Sequence, residues 1–269
     1  MKSLVLLLPP PPTSFSLPND RLSPPGFLVQ YPRFRRLCSS NRSQSIQTAE
    51  TDTRSEYNPG VLDELFLHVF RNRMVKEVGW DSEKPGYDGL IEVARHLMMG
   101  RSAFETRAAA VRILKSLFPS LFFLELYQKL ITPIQRGKVA AEMVARVTVL
   151  SCQWLMGCCT VNSVELPDGS SWESGVFVER CKYLEESKCV GICINTCKLP
   201  TQTFFKDYMG IPLLMEPNFT DYSCQFKFGV LPPTPEDDRA LKEPCLEICP
   251  NATRRRDLPS SDPLRCPKA

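Results

Sequence analysis

The chain has 269 residues, with 33 Lys and Arg against 30 Asp and Glu, 12 cysteines and only two histidines. The slight basic excess is confined to the start: six basic residues and one acid precede Glu50, leaving 27 basic and 29 acidic residues, a net −2. That balance lacks the basic stripe of a nucleic-acid footprint, and no apolar run reaches the roughly 18 residues of a membrane span.

The first 48 residues read as a transit peptide: basic, serine-rich and nearly free of acid, with no hydrophobic periodicity. A secretory signal is the alternative. The apolar run "LVLLL" after Lys2 is short of the roughly 7–15 residues of a signal core, and "PPPP" ends it. Secretion would turn the cysteines into disulfides and give meaning to the Asn-x-Ser/Thr triplets at Asn41, Asn218 and Asn251. In a reducing plastid stroma or mitochondrial matrix the same cysteines read as metal ligands or redox groups.

A helical half is expected over residues 57–157. Leu62, Leu65, Phe66, Val69 and Phe70 recur at helical spacing as one inward stripe, ended near Gly79. Leu90, Ile91, Ala94, Leu97 and Met98 repeat the pattern up to Gly100. A third helix covers about Phe104 to Leu117. Pro119 opens a fourth, "PSLFFLELYQKL". A fifth runs from about Lys138 to Leu155, with Val139, Met143, Val144, Val147, Leu150 and Trp154 inward. Four or five such helices make a bundle. Within "LFFLELY", Leu121, Phe122, Leu124 and Tyr127 are equally candidates for ordinary core and for the lining of an apolar groove.

Residues 160–257 read as a small cysteine-rich α/β segment, followed by a tail over 258–269. The fold class is therefore α+β. Two β-rich runs flank Pro167-Asp168-Gly169, a hairpin signal. A cysteine helix, a short helix "PTQTFFKDYMG" and strand-like "PLLME" and "CQFKF" follow. The remainder is proline-rich, with "EPCLEICP" its ordered-looking piece.

Cys189, Cys193 and Cys197 stand four apart. On an α-helix, at about 100° per residue, they fall within an arc of about 80°, and Pro200 prevents continuation. Cys245 and Cys249 repeat the spacing, and Cys224 lies in a strand-like run. Cys181 lies one turn ahead. Such thiols suit a soft metal: iron, an iron–sulfur cluster, zinc or Cu(I). Two other readings give the same letters. Two disulfides could staple Cys189/Cys193 or Cys193/Cys197 to Cys245/Cys249. Some cysteines are simply small buried residues, the reading preferred for Cys152, Cys158 and Cys159. His68 and His96 lie on polar helix faces. Asp237 and Asp238 mark a turn or helix start rather than an acid/base pair. No glycine-rich phosphate loop is present, so no nucleotide-type cofactor is expected.

"VERCKYLEESKCVGICINTCKLPTQTFF", "GIPLLMEPNFTDYSCQFKFG" and "PPTPEDDRALKEPCLEICP" resemble the plant plastid β-carotene isomerase family, the iron-containing Dwarf twenty-seven proteins of strigolactone biosynthesis. The resemblance implies reversible conversion of all-trans- to 9-cis-β-carotene, a carotenoid substrate, a chloroplast location and iron, mononuclear or clustered. It places Cys181, Cys189, Cys193, Cys197, Cys224, Cys245 and Cys249 at the family's recurring cysteines. Cys189, Cys193, Cys197, Cys224, Cys245 and Cys249 are the candidate metal ligands; no catalytic residue is assigned. "CQWLMGCCTVNSVELPDG" departs from the family pattern, which implies an isomerase-like paralogue and a carotenoid preference of its own. A hydrocarbon substrate also implies peripheral contact with a plastid membrane. The non-enzyme alternatives are a cysteine-rich carotenoid- or metal-binding protein and a disulfide-stapled scaffold.

Overall fold

The computed structural model describes residues 60–249, all within one compact unit. The transit-peptide reading, Cys38, Cys266, the triplets at Asn41 and Asn251 and the tail lie outside the described residues.

Six helices come first: α1 (Val61–Val78), α2 (Gly86–Met98), α3 (Ala103–Ser116), α4 (Leu121–Leu130), α5 (Lys138–Ser151) and the single turn α6 (Gln153–Met156). Their ends follow local chemistry. Gly79 closes α1 in the left-handed region at φ 76°, where a side chain would be strained. Ser102 and Glu105 form a reciprocal capping box on α3. Pro119 does not open α4. Ser120 caps it instead, its hydroxyl accepting from Phe122 N at 3.2 Å.

Two predicted faces are corrected. On α1, Leu62, Leu65, Phe66 and Val69 are exposed; Met74 is buried, and Leu67, Phe70 and Val78 pack partly buried against the same cluster. On α5 the small residues face inward. Ala140, Ala141, Val144, Ala145 and Thr148 pack towards the sheet, while Met143, Val147 and Leu150 are exposed, the last two by 56% and 51%. Small residues let the helix lie close to strand β2, and larger side chains there would hold it off. Val144 and Trp154 are inward as expected.

Gly89 in α2 shows the same economy of space. A Cβ there would lie 2.2 Å from the Lys84 carbonyl oxygen and 2.3 Å from Arg71 Nη1. That guanidinium holds the α1–α2 connection by donating to Lys84 O (2.9 Å), Ser82 O (2.6 Å) and Asp81 Oδ1 (2.7 Å). Gly89→Ala should therefore destabilise the protein by about 1–3 kcal/mol, although alanine gains about 1 kcal/mol in helix propensity. Urea unfolding reads the sign directly.

The sheet has four antiparallel strands, β1 (Cys159–Glu165), β2 (Ser171–Val178), β3 (Leu213–Pro217) and β4 (Cys224–Phe228), ordered β1-β2-β4-β3. The β1–β2 hairpin turns at residues 166–170, as the Pro-Asp-Gly signal predicts. Cys224, Phe226 and Phe228 alternate inward on β4 opposite Pro217, Met215 and Leu213 of β3. Between the hairpin and β3 lie α7 (Lys182–Ser187) and α8 (Val190–Ile192), then a π-helix (Cys193–Lys198) and α9 (Leu199–Met209). α10 (Arg239–Lys242) follows β4, with Asp238 as its cap. Helices α4, α5 and α9 cover the inner face of the sheet in one core cluster. Helices α1 to α3 share a second with Trp154, Tyr183, Cys189 and Ile192.

Pro200 does not stop the cysteine helix. α8, the π-helix and α9 form one continuous helix from Val190 to Met209. In plain α geometry Pro200 would leave the carbonyl four residues earlier without a donor and crowd it. The π-segment immediately before it shifts the pairing from i+4 to i+5 and so accommodates the proline.

Candidate functional site: a buried four-thiol cavity

The π-segment changes which cysteines meet. Cys189 precedes the helix in an extended conformation (φ −138°, ψ 111°) and packs into the α1–α3 cluster, where Cys249 also lies. The expected single face of Cys189, Cys193 and Cys197 is therefore not formed. Cys193 and Cys197 turn instead towards β4 and the start of α7. With Cys181 and Cys224 they border a cavity of about 20 Å³, lined otherwise by Leu155, Met156, Tyr183, Leu184, Lys198, Met215, Pro217 and Phe226. That volume holds about one atom the size of a water oxygen.

Each thiol is placed by a different element. Cys193 and Cys197 stand on the π-helix. Cys224 begins β4, paired in register with Val178 and Pro217. Cys181 caps α7, its backbone N–H donating to Tyr222 O at 2.7 Å, and packs against all three hydrophobic clusters. Of the six candidate ligands, then, Cys193, Cys197 and Cys224 come together with Cys181; Cys189 and Cys249 go to the neighbouring cluster; Cys245 lies in the half-buried loop after α10.

Cys181, Cys193, Cys197 and Cys224 are free thiols. Both versions of the two-disulfide staple require Cys193, so the staple is not formed among the described residues. Cys159 is a buried free thiol, as expected of a small core residue, and Cys152 is free and half-buried; Cys158 is buried but disulfide-bonded, so the reading of it as a simple core residue is corrected. His68 is exposed beside Asn72, and His96 stacks on Trp80 at 4.6 Å.

Burial dominates the electrostatics. It pushes the thiols of Cys193 and Cys224 well above the ordinary value, reinforced by the neighbouring thiols and opposed weakly by Lys198. Cys181 and Cys197 move the same way for the same first cause. Nearby Cys159 is pushed up to about 12, and the Tyr183 phenol is raised too. Among the described residues Lys198 is the one charged residue on the cavity wall. It is 1% exposed and ion-paired to Asp238.

Four thiols raised by burial stay protonated when folded and ionise from 9.0 upwards when unfolded. The unfolded state then binds fewer protons, so this contribution is complete below pH 9 and lost as pH rises through the folded values. Metal-free protein should lose stability steeply above about pH 9, by up to about 1.4 kcal/mol per pH unit per thiol. Urea midpoints between pH 7 and 10 check the direction.

The donor set is soft in kind, but its arrangement is a separate matter. Among the described residues no three His, Cys, Asp or Glu side chains converge as they would around a metal ion. Sequence reasoning missed Cys181 and Lys198 as cavity residues. Cys181 was visible as a recurring cysteine one turn ahead of the helix; nothing in the letters tied Lys198 to Asp238.

These features define a helix-and-sheet protein organised around a small, apolar, thiol-bordered cavity. A model of the D27-like β-carotene isomerase C-terminal domain matches residues 154–237, which contain every residue on the cavity wall. Over 211 residues the chain is 34% identical to "Beta-carotene isomerase D27, chloroplastic" of Arabidopsis thaliana, covering 76% of this chain and 77% of the relative. It is also 34% identical over 193 residues to the Medicago truncatula protein of the same name, covering 72% and 75%. No solved structure matches. The chain belongs to the D27-like β-carotene isomerase family. Its chloroplast location, implied by the resemblance and compatible with an organelle leader, is the one both relatives' names carry.

Proposed function

We propose that this protein is a carotenoid cis–trans isomerase that interconverts all-trans- and 9-cis-β-carotene, or a closely related pair, for strigolactone-type apocarotenoid synthesis. The observation that carries the reading is the four-thiol cavity, lying wholly inside the segment shared with the family.

A polyene double bond rotates only when its order falls. Protonation by an acidic side chain is a poor route here: no carboxyl or histidine among the described residues lines the cavity, and the Lys198 charge is matched by Asp238. The resemblance adds iron, with Cys181, Cys193, Cys197 and Cys224 as the residues that would hold it. The candidate ligands Cys189, Cys245 and Cys249 lie off the cavity wall. Bound iron would supply one-electron exchange, tuned by the protein around it. No step is built on it, because the thiols do not converge as ligands among the described residues.

That same arrangement favours a second reading of the chemistry. A cysteine adds its sulfur and proton across one double bond, the resulting single bond turns, and elimination returns both to the thiol. In either case the cavity is far too small for the substrate itself. A long hydrocarbon needs an extended apolar site larger than this cavity.

The test is anaerobic purification of the full chain, iron and sulfide analysis, and chromatography of isomer ratios. All-trans- and 9-cis-β-carotene should converge on one mixture from both sides. Unchanged ratios from both sides, over a range of carotenoids, reject the isomerase.

A further inference from the structure

Helix α4 spends few of its apolar side chains on the core. In "LFFLELYQKL" only Leu124 is buried, while Phe122, Phe123 and Leu130 are exposed by 62%, 57% and 59%. Tyr127 is half-buried and donates to Ala140 O at 2.9 Å, which fixes the helix against α5. By helical spacing Phe122, Phe123, Leu126 and Leu130 share the face opposite Leu124. They therefore make one outward apolar stripe rather than a scatter. The chain then turns through Gln135 and Arg136, both in the left-handed region at φ 48° and 56°. Thr132, donating to Met209 O at 2.8 Å, ties this turn to the body. The turn leaves Ile134 43% exposed beyond the stripe, with Arg136 exposed beside it.

We propose that the outer face of α4 and the turn after it dock on a membrane surface bearing anionic lipid headgroups. Charge supports lipid over a second copy of the chain. Residues 121–151 hold Lys129, Arg136, Lys138 and Arg146 against Glu125 and Glu142, although acids prevail from Glu50 onward. A self-complementary contact would set this cationic rim against itself. An anionic bilayer matches both the rim and the aromatic and leucine stripe of an interfacial helix. No helix among the described residues is long and apolar enough to cross a membrane. Contact is through this surface. The inference deepens the carotenoid reading and rests on it for its purpose, since a hydrocarbon substrate resides in lipid.

Flotation of the full chain with phosphatidylcholine vesicles, with and without phosphatidylglycerol, tests it. The protein should float with the anionic vesicles on the order of tenfold more than with the neutral ones and detach as salt screens the rim. Phe123→Ser with Leu130→Ser should lower flotation by about tenfold or more at an unchanged melting temperature, both residues being exposed. Three results overturn the proposal: no flotation, flotation equal for wild type and variant or for both vesicles, or a dimer that the variant dissolves. Assaying isomerisation of β-carotene in the same vesicles and in detergent separates the two readings. A defect in vesicles alone supports docking. Flotation that depends on the stripe, with no isomerisation in either medium, leaves docking standing and removes the carotenoid reading.

Discussion

Cys193→Ser should lower the isomerisation rate on the order of 100-fold or more, whereas Cys189→Ser, four residues away, should leave chemistry at the cavity in place. Both substitutions are near-isosteric at buried positions, so each carries a stability cost of about 1–3 kcal/mol for placing a hydroxyl where a thiol was buried. What separates them is geometry: Cys193 borders the cavity with Cys181, Cys197 and Cys224, and Cys189 packs among the side chains of α1 to α3. Rates measured well below the melting temperature remove the shared stability cost. Metal analysis of the same samples then divides the two chemical readings. Iron and activity lost together at Cys193 support iron at the four-thiol cavity; activity lost with iron retained supports the thiol route. Equal activity loss at both positions would show that the cavity is not the site.

The contrast between Cys189 and Cys193 also marks where the letters stop being legible. The elements themselves could be read because each rests on local chemistry: apolar spacing for α2 and α3, Gly79 after α1, Pro-Asp-Gly between β1 and β2, alternation in "CQFKF". The cysteine face could not. A spacing of four implies a shared face only at 3.6 residues per turn. Cys189 precedes the helix, and Cys193 to Lys198 are in π geometry. Pro200 was the one local sign of it. It was read as a stop because a helix can either end before a proline or widen to admit it, and tertiary packing decides which.

The inward faces of α1 and α5 were misread for a related reason. Both helices are apolar on more than one side, so periodicity alone leaves two candidate stripes. On α5 the sheet selected alanines; on α1 the anchored Arg71 and buried Met74 selected the Leu67–Phe70–Val78 side. The surplus apolar faces carry information of a different kind, about surfaces rather than cores. In "LFFLELY" the ambiguity between core and groove resolves residue by residue: Leu124 is core, Tyr127 is an anchor, and Leu121 and Phe122 lie outside.

Lys198→Met should be the most damaging change to stability outside the apolar core, at about 3–5 kcal/mol, or a fall in melting temperature of about 10 °C for a unit of this size. Lys198 and Asp238 are both buried and ion-paired, and they join the end of the π-helix to the start of α10. Asp238 has a second duty, since its Oδ1 accepts from Ala240 N at 3.0 Å. Removing the ammonium leaves a carboxylate in a dry site with nothing to balance it, and that desolvation cost is the source of the expected loss. Lys198→Met with Asp238→Asn removes both charges and keeps an oxygen for the cap. It should therefore recover at least about half of the loss, because a buried pair contributes little more than a neutral substitute. Additive effects in this cycle, read by urea unfolding, would mean that the pair is not coupled. The same double variant asks what the pair does for the cavity. If it serves only to hold α10 in place, restored stability should bring restored isomerisation. If the charge beside Cys193 and Cys197 matters to the thiols, the double variant should be stable and still slow.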